Sequence, residues 1–276
     1  MEQIYARTVC IGTTGQLAIM SGPCVIEEES HCLKAAETLK KMFEKHGVAL
    51  IFKSSYDKAN RSASSSFRGP GLHEGLRILQ RVRTELELPV VTDIHTVEEA
   101  RAVGEVCEII QIPAFLCRQT DLLLAAGLTG AIVSVKKGQF LAPWDMKNVV
   151  DKIESTGNKK IILVERGSSF GYNNLVSDMR SIPIMQETGY PVCFDASHSV
   201  QKPGGLGQTS GGDRMYIPCL AKAALAAGAD LLFIESHPNP TAAKSDASTV
   251  LGFQELEKLL PLLKDLYALI SKERYV

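Results

Sequence analysis

Eight short apolar runs recur at fairly even spacing along the chain, and they limit the choice of fold more than any other property of the sequence. Most of the runs are continuously apolar rather than alternating, which is typical of parallel strands that are covered on both faces. Helical segments separate most of them. The runs are LAIMSG (17–22), ALIFKS (49–54), PVVTDI (89–94), EIIQIP (108–113), AIVSVK (131–136), KIILVE (160–165), PVCFDA (191–196) and LLFIES (231–236).

Eight strands that alternate with helices predict an α/β protein of the (β/α)8 TIM-barrel type. The length of 276 residues is typical of one such barrel, and no repeat or linker divides it, so we expect a single domain over 1–276. An open doubly wound sheet is the alternative. The leading segment ARTVCIGTTGQLAIM contains a turn signal at Thr13–Gly15. It predicts a short β-hairpin that closes the barrel floor.

Composition excludes several classes of protein. The formal net charge of −1 gives no reason to expect a nucleic-acid or membrane partner. The seven cysteines are odd in number and form no CxxC pair, so neither a disulfide framework nor a zinc ribbon is indicated. We expect no signal peptide, and no uncharged apolar stretch reaches the roughly 18 residues of a membrane span. These observations predict a reducing, cytoplasmic location.

Basic side chains concentrate at the carboxyl ends of the predicted strands, where TIM barrels carry their chemistry. Residues 51–71 alone hold four cations and six serines. Cations and hydroxyls together bind phosphate and carboxylate groups, so we expect a polyanionic small molecule here. Taken singly, such loop cations are usually solvated, and Cys24 or His198 has an ordinary structural explanation. The cations in question are Lys53, Lys58, Arg61, Arg68, Arg118, Lys136, Lys137 and Arg166.

A set of longer motifs resembles one enzyme family, and the similarity runs from Ser21 to about Leu260. The motifs are SGPCVIE, FKSSYDKANRS, SFRGPG, TDIH, IIQIPAFLCRQTDLLLAA, VKKGQFLAPWDMKNV, ERGSSFGYNNLVSDMRS, DASHSVQ, PGGLGQTSGGDR, ESHPNP and KSDAS. Together they resemble the 3-deoxy-D-manno-octulosonate 8-phosphate (KDO-8-phosphate) synthases. The resemblance implies a transferase that condenses phosphoenolpyruvate (PEP) with arabinose 5-phosphate and releases phosphate. It also implies a role in lipopolysaccharide biosynthesis and a homotetramer.

The resemblance also implies roles for individual residues. The residues that match the PEP-holding positions are Lys53, Gln111, Lys136 and Arg166. The residues that match the sugar-phosphate positions are Lys58, Asn60, Arg61 and Ser62, with Arg61 at the phosphate end. Asp93 matches a residue near the reacting end of the sugar, Phe115 matches an aromatic wall, and Arg118 and Ser248 match supporting positions. The residues expected to act in catalysis are Lys53, Asp93, Lys136 and His198.

A divalent metal ion is implied by the same resemblance. Metal-dependent members of the family carry a cysteine after the first strand, where metal-independent members carry an asparagine. This chain has Cys24 there, and the other three ligand positions match His198, Glu235 and Asp246. One thiolate, one imidazole and two carboxylates suit Mn²⁺, Fe²⁺, Co²⁺ or Zn²⁺. Ser134 departs from the pattern, since an asparagine is expected two residues before Lys136.

Two other functions compete with this interpretation. DAHP synthase joins PEP to the shorter erythrose 4-phosphate with the same barrel and a similar metal set. The KANRS stretch at 58–62 favours the longer sugar, because that family tends to carry a proline-bearing KPRTS-like stretch instead. A non-catalytic sugar-phosphate-binding barrel is the second alternative, and the complete ligand set argues against it.

Overall fold

The computed structural model of the chain describes residues 3–12, 16–61, 63, 65–205 and 211–273. Within them, eight parallel strands form one closed barrel. The barrel strands are β1 (Ala18–Gly22), β2 (Ala49–Lys53), β3 (Val90–Asp93), β4 (Ile109–Ile112), β5 (Ile132–Lys136), β6 (Ile161–Glu165), β7 (Val192–Asp195) and β8 (Leu231–His237). The α-helices are α1 (Glu29–His46), α2 (Leu72–Glu85), α3 (Glu99–Val106), α4 (Thr120–Leu128), α5 (Met146–Glu154), α6 (Ser181–Gln186), α7 (Ile217–Ala226) and α8 (Phe253–Glu273).

The pairing of the last two barrel strands decides between the two predicted architectures. Strand β7 pairs in parallel with β6 on one side and with β8 on the other, with Cys193 opposite Leu231. Strand β8 in turn pairs with β1, so the sheet closes on itself. The barrel prediction is therefore confirmed, and the open-sheet alternative is wrong. Every predicted apolar run matches one barrel strand to within one residue at either end.

A short hairpin closes the amino end of the barrel, as predicted. Its strands, Ile4–Ala6 and Val9–Ile11, pair antiparallel. Ile4, Ala6 and Ile11 pack with side chains from the barrel interior, such as Ala18 and Leu231 at the starts of their strands. The chain reverses at residues 7–8. The turn signal at 13–15 lies outside the described residues.

The helices cover the outside of the barrel with their apolar faces. In α1, the buried residues recur at helical spacing and join the layer between strands and helices. The helix ends where Gly47 adopts a left-handed backbone with φ of 62° and donates its N–H to Glu44 O. Glycine takes this conformation without the steric penalty of a side chain. No helix in the described part of the chain has the length and apolar character needed to cross a bilayer.

Candidate active site

One large cavity lies at the carboxyl ends of the barrel strands, and its volume is 690 Å³. It receives side chains from strands β2 to β5 and from the loops that follow strands β2 to β8. The predicted site residues that line it are Lys53, Lys58, Asn60, Arg61, Asp93, Gln111, Phe115, Lys136, Arg166, His198, Asp246 and Ser248. The structure therefore brings together most of the residues that the sequence assigns to one site.

A close approach of backbones holds the first two strand ends together at this cavity. A Cβ atom added at Gly22 would lie 2.2 Å from Lys53 O, so only glycine fits at the end of β1. This contact explains the glycine of the sequence Gly22-Pro23-Cys24. It sets Cys24 beside the end of β2, where Lys53 Nζ lies 3.4 Å from Cys24 O.

Several cations at the cavity form no close ion pair with a described carboxylate. Across the described residues, Lys58, Arg61 and Arg166 form no ion pair within 4.0 Å. Arg166 is only 4% exposed, and it donates to His198 O at 3.0 Å and to Gln201 Oε1 at 2.8 Å. Burial lowers the pKa of Arg166, whereas the charge of Asp195 raises it. A buried guanidinium whose hydrogen bonds to described residues go to neutral groups is suited to binding an anion.

Two buried lysines at the cavity are paired with acids. Lys53 Nζ donates to Glu235 Oε1 at 3.0 Å, and Lys136 Nζ donates to Asp195 Oδ2 at 2.6 Å. Lys136 Nζ also lies 3.9 Å from the centre of the Phe233 ring. Burial lowers the pKa of Lys136, and the Asp195 charge partly offsets this effect. These pairs hold both ammonium groups in fixed positions at the base of the cavity.

The four predicted metal ligands lie close together at one side of the cavity. Ligand atoms of Cys24, Glu235 and Asp246 are within 4.8 Å of one another. His198 Nε2 is 3.7 Å from Glu235 Oε2 and 3.7 Å from Asp246 Oδ2. Cys24 Sγ contacts Asp246 Oδ2 at 3.2 Å and Ser245 Oγ at 3.1 Å. The ligand atoms of Cys24, Glu235 and Asp246 are thus close enough to share one divalent ion, and His198 Nε2 faces two of these three residues.

Two further observations support the fit of this donor set to a metal. Glu235 Oε2 is buried and accepts no hydrogen bond from any described residue. The His198 ring is held by Asp195, because Nδ1 lies 2.8 Å from Asp195 Oδ2 and the His198 N–H donates to Asp195 Oδ1 at 2.8 Å. An imidazole that donates Nδ1–H to a carboxylate presents Nε2 as a ligand, as metal-binding histidines usually do.

The electrostatics of the cluster favour a cation. Burial raises the pKa of the Cys24 thiol, and the charges of Asp246 and Glu235 raise it further. Burial alone would raise the pKa of Asp246, but the hydrogen bond and charge of His198 lower it overall. Burial lowers the pKa of Lys58, yet the charges of Cys24 and Glu235 raise it more strongly. Positive charge is thus stabilised here, and a divalent ion would favour the deprotonated thiolate.

Some predicted residues do not reach the cavity. Arg68 is exposed and pairs with Asp57 through Nε at 2.7 Å from Oδ1. Arg118 lines a separate cavity of 400 Å³. Lys137 is fully buried beside Glu165, with Nζ 3.6 Å from Oε2. Phe115 does line the large cavity, but it is 55% exposed. Ser62 lies outside the described residues, and the glycine-rich stretch is only partly described.

The sequence interpretation gave no role to three residues that organise this site. Asp195 fixes His198, and its position three residues before that histidine was the available signal. Ser55 donates to Asp93 Oδ1, and His95 Nε2 lies 3.1 Å from Asp93 Oδ2. The spacing of two residues between Asp93 and His95 was the available signal for this contact, because residues two apart share one face of a strand.

The Ser134 position differs from the expected asparagine without opening the cavity wall. Ser134 is fully buried in β5, opposite Gln111 of β4. Its hydroxyl and Gln111 Oε1 are both buried without a hydrogen-bond partner among the described residues. The shorter side chain thus leaves a polar atom unmatched beside a residue that lines the cavity.

Comparison with known proteins agrees with this arrangement. The family model described as "DAHP synthetase I family" matches residues 2–272. A 2-dehydro-3-deoxyphosphooctonate aldolase from Protochlamydia amoebophila is 71% identical over 273 residues, covering 99% of both chains. The chain belongs to the 2-dehydro-3-deoxyphosphooctonate aldolase family, whose members are the KDO-8-phosphate synthases. Aldolases of the same name from a Geobacter species and from Citrifermentans bemidjiense are 55% and 56% identical, each over 98% of this chain and 99% of the relative.

Membership of the aldolase family bears on the two competing interpretations. The family model takes its name from DAHP synthetases, so the broad family includes the rival reaction. The three relatives above, which are 55–71% identical to this chain, are named 2-dehydro-3-deoxyphosphooctonate aldolases. The resemblance inferred from the motifs is therefore confirmed at the level of this aldolase family.

Proposed function

We propose that the chain is a metal-dependent KDO-8-phosphate synthase. The reaction joins the methylene carbon of PEP to the aldehyde carbon of arabinose 5-phosphate, while water adds to the second carbon of PEP. Inorganic phosphate leaves from the resulting tetrahedral intermediate. The products are 3-deoxy-D-manno-octulosonate 8-phosphate and phosphate. The enzyme is thus a C–C bond-forming transferase, and we place it in lipopolysaccharide biosynthesis on the basis of this product.

One observation carries the proposal: a single 690 Å³ cavity is lined both by cations and by members of a thiol–imidazole–carboxylate cluster. The two substrates carry two phosphates and one carboxylate, and each phosphate bears about −1.5 to −2 charges at neutral pH. The lining includes five of the cations noted in the sequence, namely Lys53, Lys58, Arg61, Lys136 and Arg166. Lys58, Arg61 and Arg166 supply charge that no described ion pair neutralises, and the lysines held by Glu235 and Asp195 add donors for two anionic substrates.

The base of the cavity is suited to PEP. Lys53, Lys136 and Arg166 are at most 5% exposed, so their charges are only weakly screened by water. Gln111 Oε1 is buried there and accepts no hydrogen bond from any described residue. Holding the PEP phosphate and carboxylate between fixed cations reduces the repulsion that a second anion would meet. It also keeps the reacting carbons close together.

The entrance of the cavity is suited to the sugar phosphate. Arg61 donates from Nε to Phe67 O at 3.1 Å and from Nη2 to Lys244 O at 3.0 Å. These two carbonyls fix the guanidinium and leave other N–H groups for a phosphate, since arginine has five donors. Lys58 and Asn60 line the same wall, and Asp93 lies deeper, where a sugar hydroxyl can donate to it. Ser248 also lines the cavity and completes the described part of the proposed sugar site, and the motif adds Ser62 to the proposal.

Cys24, His198, Glu235 and Asp246 are the proposed ligands of a divalent metal ion of the Mn²⁺, Fe²⁺, Co²⁺ or Zn²⁺ class. When bound, such an ion supplies Lewis-acid polarisation of an oxygen atom. The protein's contribution is to orient the ligands: Asp195 holds the His198 ring, and Lys53 balances the charge of Glu235. A cytoplasmic location and a homotetramer are further proposals, and analytical ultracentrifugation tests the latter.

One assay tests the proposed reaction against its alternatives. Phosphate release from PEP is measured with arabinose 5-phosphate, with erythrose 4-phosphate and with no aldose. We expect release only with arabinose 5-phosphate. Faster release with erythrose 4-phosphate would identify a DAHP synthase instead. Binding of the sugar phosphates without any release would identify a non-catalytic barrel.

The Arg61→Ala variant tests the orientation of the substrates. Because Arg61 lies at the entrance, its loss should raise the KM for arabinose 5-phosphate about tenfold to a hundredfold. The KM for PEP should change much less. Arg68→Ala is the matched control, since Arg68 belongs to the same segment but pairs with Asp57 outside the cavity. Equal losses for both substrates would overturn the assignment of Arg61 to the sugar phosphate.

A further inference from the structure

A second group of metal-binding side chains lies outside the cavity. Glu27 lies in the loop between β1 and α1, His31 in the first turn of α1, and His237 at the end of β8. One ligand atom from each residue lies within 4.8 Å of the other two. None of the three lines the 690 Å³ cavity, and none belongs to the proposed ligand set of the active site. The function proposed above leaves this group unexplained.

The hydrogen bonds of His237 leave one ring nitrogen as a bare acceptor. Nδ1 lies 2.7 Å from Asn239 O, and the Asn239 N–H points at the same nitrogen from 3.0 Å. We assign the ring proton to Nδ1, because a bare Nδ1 would leave two acceptors only 2.7 Å apart. Nε2 then carries a lone pair. It is buried, it has no hydrogen-bond partner among the described residues, and it faces Glu27 Oε1 at 3.4 Å. The lone pair of His237 Nε2 therefore faces a carboxylate oxygen of Glu27, and His237 is only 4% exposed. A cation between these two acceptor atoms would stabilise the arrangement.

His31 adds a second imidazole to the same place. Its ring centre lies 4.8 Å from that of His237, and its Nδ1 is buried without a hydrogen-bond partner in the described part of the chain. Burial lowers the pKa of His31, and the neighbouring His237 lowers it further, which favours the neutral ring that binds metals. Glu27 is held in position as well, since Oε1 accepts the Lys244 N–H at 2.8 Å.

The donor set and its spacing match a transition-metal site. Two imidazoles and one carboxylate form a common three-ligand set for Zn²⁺, with water in the remaining position. Tetrahedral zinc with bonds of 2.0–2.1 Å separates neighbouring ligand atoms by about 3.3 Å. The 3.4 Å between His237 Nε2 and Glu27 Oε1 is close to this value. The ring of His237, fixed through Nδ1 by a backbone carbonyl, is oriented as in known metal sites.

We propose that Glu27, His31 and His237 form a second binding site for a divalent ion of the Zn²⁺ class, independent of the active-site cluster. The ion would join the loop after β1 to the segment after β8. Glu27 accepts the backbone N–H of Lys244, which lies two residues before Asp246. An ion at this site therefore ties down the segment that carries a residue of the active-site cluster.

The test counts metal ions with Co²⁺ as the probe. The full chain is stripped with a chelator, dialysed against Co²⁺ and analysed for bound metal and for its absorption spectrum. The wild type should hold two ions, and only the active-site ion should show thiolate-to-cobalt charge transfer. His31→Ala should hold one ion and keep the thiolate band, whereas Cys24→Ala should hold one ion and lose it. His73→Ala, which replaces an exposed histidine of α2, is the matched control and should hold two.

These measurements separate the two sites. A wild type that binds one ion and shows the thiolate band, or a His31→Ala variant that binds as many ions as the wild type, would overturn the second site. If only the active-site assignment is wrong, the wild type would hold one ion without the thiolate band, and His31→Ala would hold none. Alanine is favourable in a helix, so His31→Ala should fold, which far-UV circular dichroism checks. His31→Leu fills the same space and provides a second variant with the same expected loss of one ion.

Discussion

The two ends of the barrel interior are built from opposite kinds of side chain. At the amino end, Ile4 and Ile11 of the hairpin pack on apolar residues of the strands. At the carboxyl end, Lys53, Lys136 and Glu235 are buried to a similar degree, at 1–5% exposure. Apolar burial stabilises the fold, whereas buried ion pairs contribute little or cost stability. The comparison indicates that the floor supports the fold and that the opposite end supports ligand binding.

Replacing Cys24 should produce the largest loss of activity and a small loss of stability. If the thiolate holds the proposed metal, Cys24→Ala should lower metal-dependent phosphate release by about 10³-fold, or roughly 4 kcal/mol. The free energy of unfolding of the metal-free chain should fall by only about 1 kcal/mol, because little volume is removed. Cys32→Ala, another buried free thiol, is the control and should keep full turnover. Metal-stimulated release by Cys24→Ala would contradict the ligand assignment.

Two adjacent lysines at the end of β5 test the distinction between side chains that bind ligand and side chains that stabilise the fold. Lys136 lines the cavity, so Lys136→Ala should weaken PEP binding about a hundredfold, or roughly 2.7 kcal/mol. Lys137 is buried away from the cavity, where Nζ contacts Leu141 O at 3.2 Å and Ser168 Oγ at 3.1 Å. Lys137→Met should therefore lower stability and leave the PEP affinity of the folded protein unchanged. Calorimetric titration with PEP measures the affinity of each variant. Equal PEP affinities in the two variants would contradict the comparison.

A truncation in the floor should show the reverse pattern. Ile11 is 1% exposed and packs under the barrel strands, so Ile11→Ala should lower the free energy of unfolding by about 2–3 kcal/mol. Turnover per folded molecule should stay the same, since the hairpin lies at the end opposite the cavity. Urea unfolding and phosphate release are measured on the same preparation. A loss of turnover without a loss of stability would show that the floor is not merely structural.

The same division explains how much of the fold the sequence predicted. Each barrel strand was predicted because continuous apolar runs mark parallel strands buried on both sides. The hairpin was expected, but its strands of three residues are too short for periodicity to locate, and its turn lies at 7–8. Barrel closure followed from the count of eight strands rather than from any single residue.

The site was predicted less evenly, for a physical reason. Strand order predicts that strand ends converge, so Lys53, Lys136 and Arg166 were expected together and line one cavity. Which loop cations pair elsewhere depends on side-chain rotamers and on nearby acids, as in the pair of Arg68 with Asp57. Such pairings leave no periodic signal in the sequence. The metal assignments remain predictions that only metal analysis can test.

The smallest expected effect is on the pH dependence of the free energy of unfolding, which should differ between the two ends of the barrel. At the carboxyl end, His95 Nε2 lies 3.1 Å from Asp93 Oδ2 and Nδ1 lies 3.6 Å from Glu99 Oε2. Burial lowers the pKa of His95, but the hydrogen bond to Asp93 and the negative charge of the nearby Glu99 raise it to about 9. A raised pKa in the folded state means that protonated His95 stabilises the fold. This contribution is complete below about pH 6.5 and disappears as the pH rises through about 9.

The His95→Gln variant isolates this contribution from other titrating groups. Solvent at the partly exposed rim reduces the effect, so we expect the wild type to exceed the variant by about 1–2 kcal/mol near pH 6. The difference should shrink towards zero near pH 10, as measured by urea unfolding. The loss caused by Ile11→Ala should stay constant over the same range, because burial raises the pKa of Cys193, the ionisable side chain of the floor cluster, and keeps its thiol neutral. A constant difference for His95→Gln would show that this histidine does not gain a proton on folding.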